Sequence, residues 1–135
     1  MSSIITIRRK VLFGDCDPEG IVYTPRFSYF AVEAVHEALD VWLKGPGLRT
    51  LMGFNILPPA RAFSLEFLHT VTWDDELFIQ VTVDSIGEHS FSFIIKGFIA
   101  KDILAFTANL THVCIAPDTK KVVRVPDKLR ELLQC

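Results

Sequence analysis

At 135 residues the chain has the length of one ordinary domain and can bury a core of its own. Half of its residues are hydrophobic and eleven are Phe, which excludes a disordered chain. A net charge of −2 and a pI near 6.0 exclude the broad basic field of a nucleic-acid binder. The two basic runs, Arg8–Lys10 and Lys120–Arg124, are short and read as the exposed faces of strands. The start, "MSSIITIRRK", lacks the basic-then-apolar layout of a signal peptide, and no apolar run reaches membrane-spanning length. Cys16, Cys114 and Cys135 are odd in number and widely separated, as expected of reduced thiols in a cytoplasmic protein. A mean hydropathy of +0.33 in so small a chain suggests apolar surface covered by another subunit.

Residues 2–13 are β-branched and extended in character and predict a first strand. Over residues 25–43 the apolar positions Phe27, Phe30, Ala31, Ala34, Val35, Ala38, Leu39 and Trp42 recur at i, i+3 and i+4. They predict one helix of about 28 Å, stopped by "KGPG" at 44–47. The period then changes to two. Phe63, Leu65 and Phe67 share one strand face, as do Leu77, Ile79, Val81 and Val83, then Phe91, Phe93 and Ile95. "WDDE" (Trp73–Glu76) and "IGEHS" (Ile86–Ser90) separate these runs. A further strand pair is predicted over Ile103–Ala116 and Val122–Val125, joined by "APDT", before Pro126 opens a short terminal helix. With no linker or repeat, residues 1–135 form a single domain in this reading. Consecutive strands with short connections imply an antiparallel sheet, and one long apolar helix must pack on it: an α+β layer, with a curved sheet around a central helix.

The stretch "FGDCDPEGIVYTPRF" (Phe13–Phe27) concentrates acid, sulfur, glycine and proline between that strand and that helix. Thr24 and Pro25 read as N-cap and first helical residue, which leaves free N–H groups and the positive end of the macrodipole at the helix start. Pro18 forces Asp17 out of helical geometry and Gly20 allows a tight turn, so Asp17 is held in an irregular loop nearby. A carboxylate facing a helix N-terminus has two uses. It caps the helix, or it serves an acyl-transfer site in which N–H groups bind an oxyanion and the carboxylate acts as nucleophile or base. Cys16 is a poor nucleophile, because Asp15 and Asp17 flank it and oppose a thiolate. "HEALD" (His36–Asp40) has Asp where the zincin motif needs its second His, so Glu33, His36, Glu37 and Asp40 read as the polar helix face, turned to solvent or to a subunit interface. His69, His89 and His112 are scattered without metal spacing, and no G-x-S-x-G elbow is present.

"FGDCDPEGIVYTPRFSYF" closely resembles the D-x-D-x-x-G-x-V signature of the 4-hydroxybenzoyl-CoA thioesterase family, whose members have the hotdog fold. The resemblance is specific over Phe13–Phe30 and extends more loosely through "PPARAFSLEF", "DDELFIQV" and "SFSF". It implies hydrolysis of an acyl-CoA thioester, aromatic such as hydroxybenzoyl-CoA or of short to medium chain, to the acid and free CoA. It further implies that neither metal nor organic cofactor takes part. On the matching positions Asp17 becomes the nucleophile or general base, and the backbone N–H of Thr24 the donor that polarises the carbonyl. Gly20, Ile21, Val22, Tyr23 and Pro25 become the substrate-binding surroundings. The resemblance also implies homodimers or homotetramers with sites at the subunit interface. Thr24 stands where members often carry an aromatic residue or His, but only its N–H is required. Glu88 and His89 stand where some members carry basic residues for the CoA phosphates, which leaves Arg61, Lys96, Lys101 and Arg124 as candidates. The alternatives to an acyl-CoA thioesterase are a non-catalytic acyl-CoA-binding hotdog module and a hydrolase of acyl carrier protein thioesters.

Overall fold

The computed structural model describes residues 3–100 and 102–134; Lys101 and Cys135 lie outside the described residues. The chain begins with β1 (Ile5–Lys10) and a 3₁₀ turn (Phe13–Asp15). The central helix α1 (Arg26–Trp42) and a shorter helix α2 (Gly47–Gly53) follow. Then come β2 (Ala60–Phe67), β3 (Glu76–Ile86), β4 (Ser90–Ile99), β5 (Ile103–Val113) and the terminal helix α3 (Asp127–Gln134). All strand pairs are antiparallel in the order β1-β3-β4-β5-β2, so the first two strands in sequence form the two edges. This is the hotdog fold, a sheet wrapped around one long helix.

The periodic residues of α1 do what their spacing predicts. Phe30, Ala31, Ala34, Val35, Ala38 and Leu39 are all essentially inaccessible and meet Leu77, Ile79 and Val81 of β3 and Phe91, Phe93 and Ile95 of β4 in one core. Each large side chain buried there contributes about 1.5–3 kcal/mol of transfer free energy, while the three alanines let the helix lie close to the sheet. In β4 the sheet itself is tight: a Cβ on Gly97 would fall 2.1 Å from the Phe106 ring.

Four features differ from the sequence reading. The strand over Val122–Val125 does not form; only the Ile115–Val122 bridge pairs there, while the Val125 N–H turns to Glu88 O at 2.8 Å. The residue that ends α1 in left-handed conformation is Lys44 (φ 58°), not a glycine. Its N–H bonds to Val41 O and that of Gly45 to Asp40 O, the paired bonds of a Schellman stop. The "GPG" that was expected only to end α1 instead starts α2. Gly47 is required there by proximity, since a Cβ would lie 2.7 Å from Leu39 Cβ, and its N–H bonds to Asp40 Oδ1 at 2.7 Å. Finally, Thr24 is not the N-cap. Pro25 occupies that place, no side chain caps it, and the first turn is tightened by bonds from Arg26, Phe27 and Ser28 to the carbonyls three residues back.

Candidate active site

The interrupting stretch folds into a small hairpin between the 3₁₀ turn and α1. Asp17 N–H donates to Ile21 O at 2.8 Å, Gly20 N–H donates to Asp17 O at 2.9 Å, and Cys16 bridges Val22. Gly20 has φ 85°, so the tight turn uses the conformation that glycine alone adopts without strain. The hairpin is tied on one side to the segment before β3, by the Val22 N–H to Val71 O bond and the Ile21–Thr72 bridge. On the other side the Tyr23 N–H donates to Asp15 O at 3.0 Å, which leads the chain straight into α1.

The two acids of the stretch have opposite surroundings. Asp15 is 2% exposed. Its Oδ1 accepts from Arg26 Nε at 2.8 Å and Arg9 Nη2 at 3.3 Å, and its Oδ2 from Arg9 Nη1 at 3.0 Å and the Leu12 N–H at 2.9 Å. Burial alone would raise the Asp15 carboxyl, but the Leu12 N–H and the two arginines outweigh it and hold it below its ordinary value. Asp17 is half-buried, and its carboxylate takes one hydrogen bond among the described residues, from the Glu19 N–H at 2.8 Å. It is the acid with acceptor capacity to spare. Cys16 lies between them half-buried, its thiol pushed up first by burial and then by the charge of Asp15 and Asp17, with partial relief from Trp73 backbone. The poor nucleophile of the sequence reading is a poor nucleophile in the fold.

Beside the hairpin opens a cleft of about 380 Å³. Ile21 and Val22 of the hairpin form one wall, and Thr24 and Phe27 at the start of α1 form the next. Phe67 at the end of β2 and the segment Leu68–Val71 close the far side. Among the described residues no hydrogen bond uses the Thr24 N–H. Of the residues expected at the site, Ile21, Val22 and Thr24 line the cleft, whereas Asp17, Gly20, Tyr23 and Pro25 are not among its lining residues. Val22 is buried, so its side chain belongs to the core.

His69 and Thr70 line the cleft without any signal in the sequence, because their approach depends on where β2 lies in the sheet. The His69 Nδ1–H donates to Thr70 O at 2.8 Å, which leaves Nε2 as an acceptor. Arg9 was expected on an exposed strand face and instead turns inward to Asp15, with its guanidinium 4.8 Å from the Phe30 ring. A signal for it existed: Arg9 is in phase with Ile5 and Ile7 on β1. His36 is likewise not a purely solvated residue. It borders a separate small cavity of about 40 Å³ together with Leu39, Phe91 and the buried His112.

The family model described as the thioesterase-like superfamily matches residues 11–133, and the chain belongs to that superfamily. The 1,4-dihydroxy-2-naphthoyl-CoA hydrolase of Microcystis aeruginosa is 29% identical over 128 residues, covering 93% of this chain and 89% of that protein. A thioesterase-superfamily structure from Jannaschia sp. CCS1 superposes with a TM-score of 0.90 at 28% identity, over 98% of this chain and 92% of that one. The structure of 4-hydroxybenzoyl-CoA thioesterase from Pseudomonas sp. strain CBS-3 has a TM-score of 0.85 at 24% identity, over 96% and 98%, and shares the fold. Among the described residues, no helix is long and apolar enough to cross a membrane.

Proposed function

We propose that the chain hydrolyses an acyl-CoA thioester whose acyl group is a hydroxylated aromatic ring, in the cytoplasm and without a metal or organic cofactor. The observation that carries this reading is the pairing of an acid-bearing hairpin with the N-terminus of α1 as two adjoining walls of one cleft. The names of the similar proteins support the CoA thioester. The aromatic preference is supported by the chemistry of the walls. Phe27 and Phe67 offer ring faces, while His69 and Thr70 offer polar partners for ring hydroxyls.

In this mechanism the carbonyl oxygen of the thioester accepts from the Thr24 N–H at the positive end of α1, where negative charge is stabilised as it develops. The Asp17 carboxylate attacks the carbonyl carbon. The tetrahedral oxyanion collapses with loss of the CoA thiolate, and water hydrolyses the resulting anhydride to the acid and regenerated Asp17. As general base, Asp17 would instead take the proton of the attacking water. Gly20, Ile21, Tyr23 and Pro25 shape the ground around these groups, and Val22 anchors it to the core.

A homodimer, itself able to pair into a tetramer, completes the site. β2 is an edge strand with Phe63 and Phe67 38% and 48% exposed, the kind of edge that invites another strand. Phe67 also lines the cleft, so a second copy on that edge would close it. Size-exclusion chromatography with light scattering should return a dimer or a larger even assembly, and dilution to monomer should abolish turnover.

The decisive experiment is free-thiol release from a panel of aromatic, short and medium acyl-CoAs by wild type, Asp17→Asn and Asp17→Ala. Loss of turnover in both variants with acyl-CoA binding retained supports the mechanism. Near-wild-type rates in both overturn it. Thermal stabilisation by acyl-CoA without thiol release from any substrate would mark a binding module, and activity confined to acyl carrier protein thioesters would replace the CoA substrate.

A further inference from the structure

We propose that Asp15 is the positioning residue of the site: its carboxylate fixes the Asp17 hairpin and the Thr24 N–H relative to each other. The inference rests on the acyl-CoA hydrolase reading above and concerns a residue distinct from the reacting acid. Asp15 cannot itself act on substrate. It is 2% exposed, and the four donor contacts from Arg9, Leu12 and Arg26 occupy both of its oxygens.

Those contacts converge from three directions. Arg9 reaches in from β1, and its Nε also lies 3.5 Å from Glu33 on α1. Leu12 precedes the 3₁₀ turn. Arg26 is the first residue of α1 and lies over the Tyr29 ring at 5.1 Å. The main chain of the same residue completes the clamp, because Asp15 O takes the Tyr23 N–H at 3.0 Å. Asp15 therefore stands two residues before Asp17 along the chain. It also holds Tyr23 and Arg26, the neighbours of Thr24 and Pro25.

The lack of a side-chain cap on α1 gives this clamp its importance. No side chain at Thr24 or Pro25 caps the helix, so apart from the backbone bonds of the first turn and the Ser28 Oγ–H to Pro25 O bond at 2.6 Å, its entry angle is set by contacts from outside the helix. The Asp15–Arg26 bond is one such contact. A charged hydrogen bond at 2.8 Å to a buried carboxylate is directional as well as strong, and the two Arg9 contacts hold the carboxylate from its other side. An N–H donor serves an oxyanion only over a few tenths of an ångström, so a clamp on both sides of the donor acts on the rate.

The test measures kcat and KM for Asp15→Asn, Arg26→Gln and Arg26→Lys beside Asp17→Asn, well below each variant's Tm. Arg8→Gln, next to Arg9 on β1, serves as a surface-charge control. Asp15→Asn keeps the side-chain shape and removes the charge; we expect kcat to fall about 10- to 100-fold with KM little changed. Arg26→Gln should fall by a similar factor, and Arg26→Lys should recover part of it, because a lysine keeps the charge but not the Nε geometry. Arg8→Gln should match wild type. If Asp15→Asn fails to fold, the half-exposed Arg26 pair decides the outcome alone. Unchanged kcat in the folded Asp15 and Arg26 variants overturns the inference, as does a loss of rate fully accounted for by the unfolded fraction. If Asp17→Asn loses turnover while these variants keep it, the hydrolase mechanism stands and the positioning role falls. If Asp17→Asn itself keeps turnover, the mechanism is the part that fails.

Discussion

At its N-terminal end α1 is fixed by charge: Arg26 and Arg9 close on a buried Asp15 whose every contact is a charged or backbone hydrogen bond. About 20 Å further along, the helix is fixed by neutral surfaces. Trp42 stacks on Phe93 at 5.8 Å and 11°, Phe91 stacks on His112 at 5.4 Å, and His36 borders the small cavity that Phe91 and His112 also line. Both ends bury titratable groups, but only one of them satisfies its group fully. Asp15 has a donor at both oxygens. The His112 Nδ1–H donates to Pro58 O at 2.9 Å, while its buried Nε2 has no partner among the described residues. A charge survives burial where donors surround it; a group with an unmet lone pair survives burial by staying neutral.

The contrast can be broken most severely from the aromatic end. Phe93 is fully buried against Trp42, Phe91 and His112, so Phe93→Ala should cost about 3–5 kcal/mol in urea denaturation, and kcat of the folded fraction should not change. A large loss of kcat in folded protein would show that the two ends are not separable. Asp15→Asn is expected to cost less stability, about 1–3 kcal/mol, because Arg9 and Arg26 both retain access to water. Its effect should fall on the rate instead. Together the two variants separate packing from positioning.

Acid titration sharpens the same contrast with a smaller effect. Burial holds the His36 and His112 imidazoles below their ordinary 6.5. For His36 the carboxylates of Asp40 and Glu33 oppose burial without overcoming it. For His112 the Pro58 and Pro59 carbonyls oppose it, while the charge of a protonated His36 adds to it. The unfolded chain therefore binds more protons than the folded one just below pH 6.5. Stability from this end is complete above about 6.5 and erodes as the pH falls below it. Asp15 is held below 3.8, so its contribution is complete above that value and is lost only as the pH falls further. Thermal melts across pH 3–8 should show two limbs, and His36→Gln should flatten the upper limb alone. A single limb below pH 4 would contradict the neutral-histidine account. Smallest of all should be the loss of an exposed pair on the β1 side. Lys10→Ala, which removes the Lys10–Asp74 contact, should change stability by about 0–1 kcal/mol.

Much of this arrangement was legible in the residues. The eight apolar positions of α1 identified its buried face residue by residue, since the 3.6-residue period reports which stripe must leave water. The alternation in β3 and β4 did the same for the sheet. At the site, Pro18 and Gly20 announced an irregular turn, and Gly20 does take the left-handed conformation. The errors cluster where two segments distant in sequence meet. Arg9 was assigned to solvent because its partners, Asp15 and Arg26, lie on other elements. His36 was assigned to the polar helix face because His112, with which it borders the small cavity, is on β5. Thr24 looked like a cap because its type and its place before Pro25 suit one, yet the helix start is held by the Asp15 clamp. Val122–Val125 has strand composition but pairs at a single bridge.

The sequence by itself determined the layers, the buried stripe of α1, the acid-bearing turn and the helix that follows it, because periodicity and turn chemistry are local properties of the chain. Tertiary structure decided the strand order that puts β2 at an edge, the cleft wall supplied by Phe67 and His69, and the different surroundings of the two acids. Asp15 and Asp17 are the same residue type two positions apart. What separates them is the set of donors that reach each one, and those donors arrive from β1 and α1 only when the chain has folded.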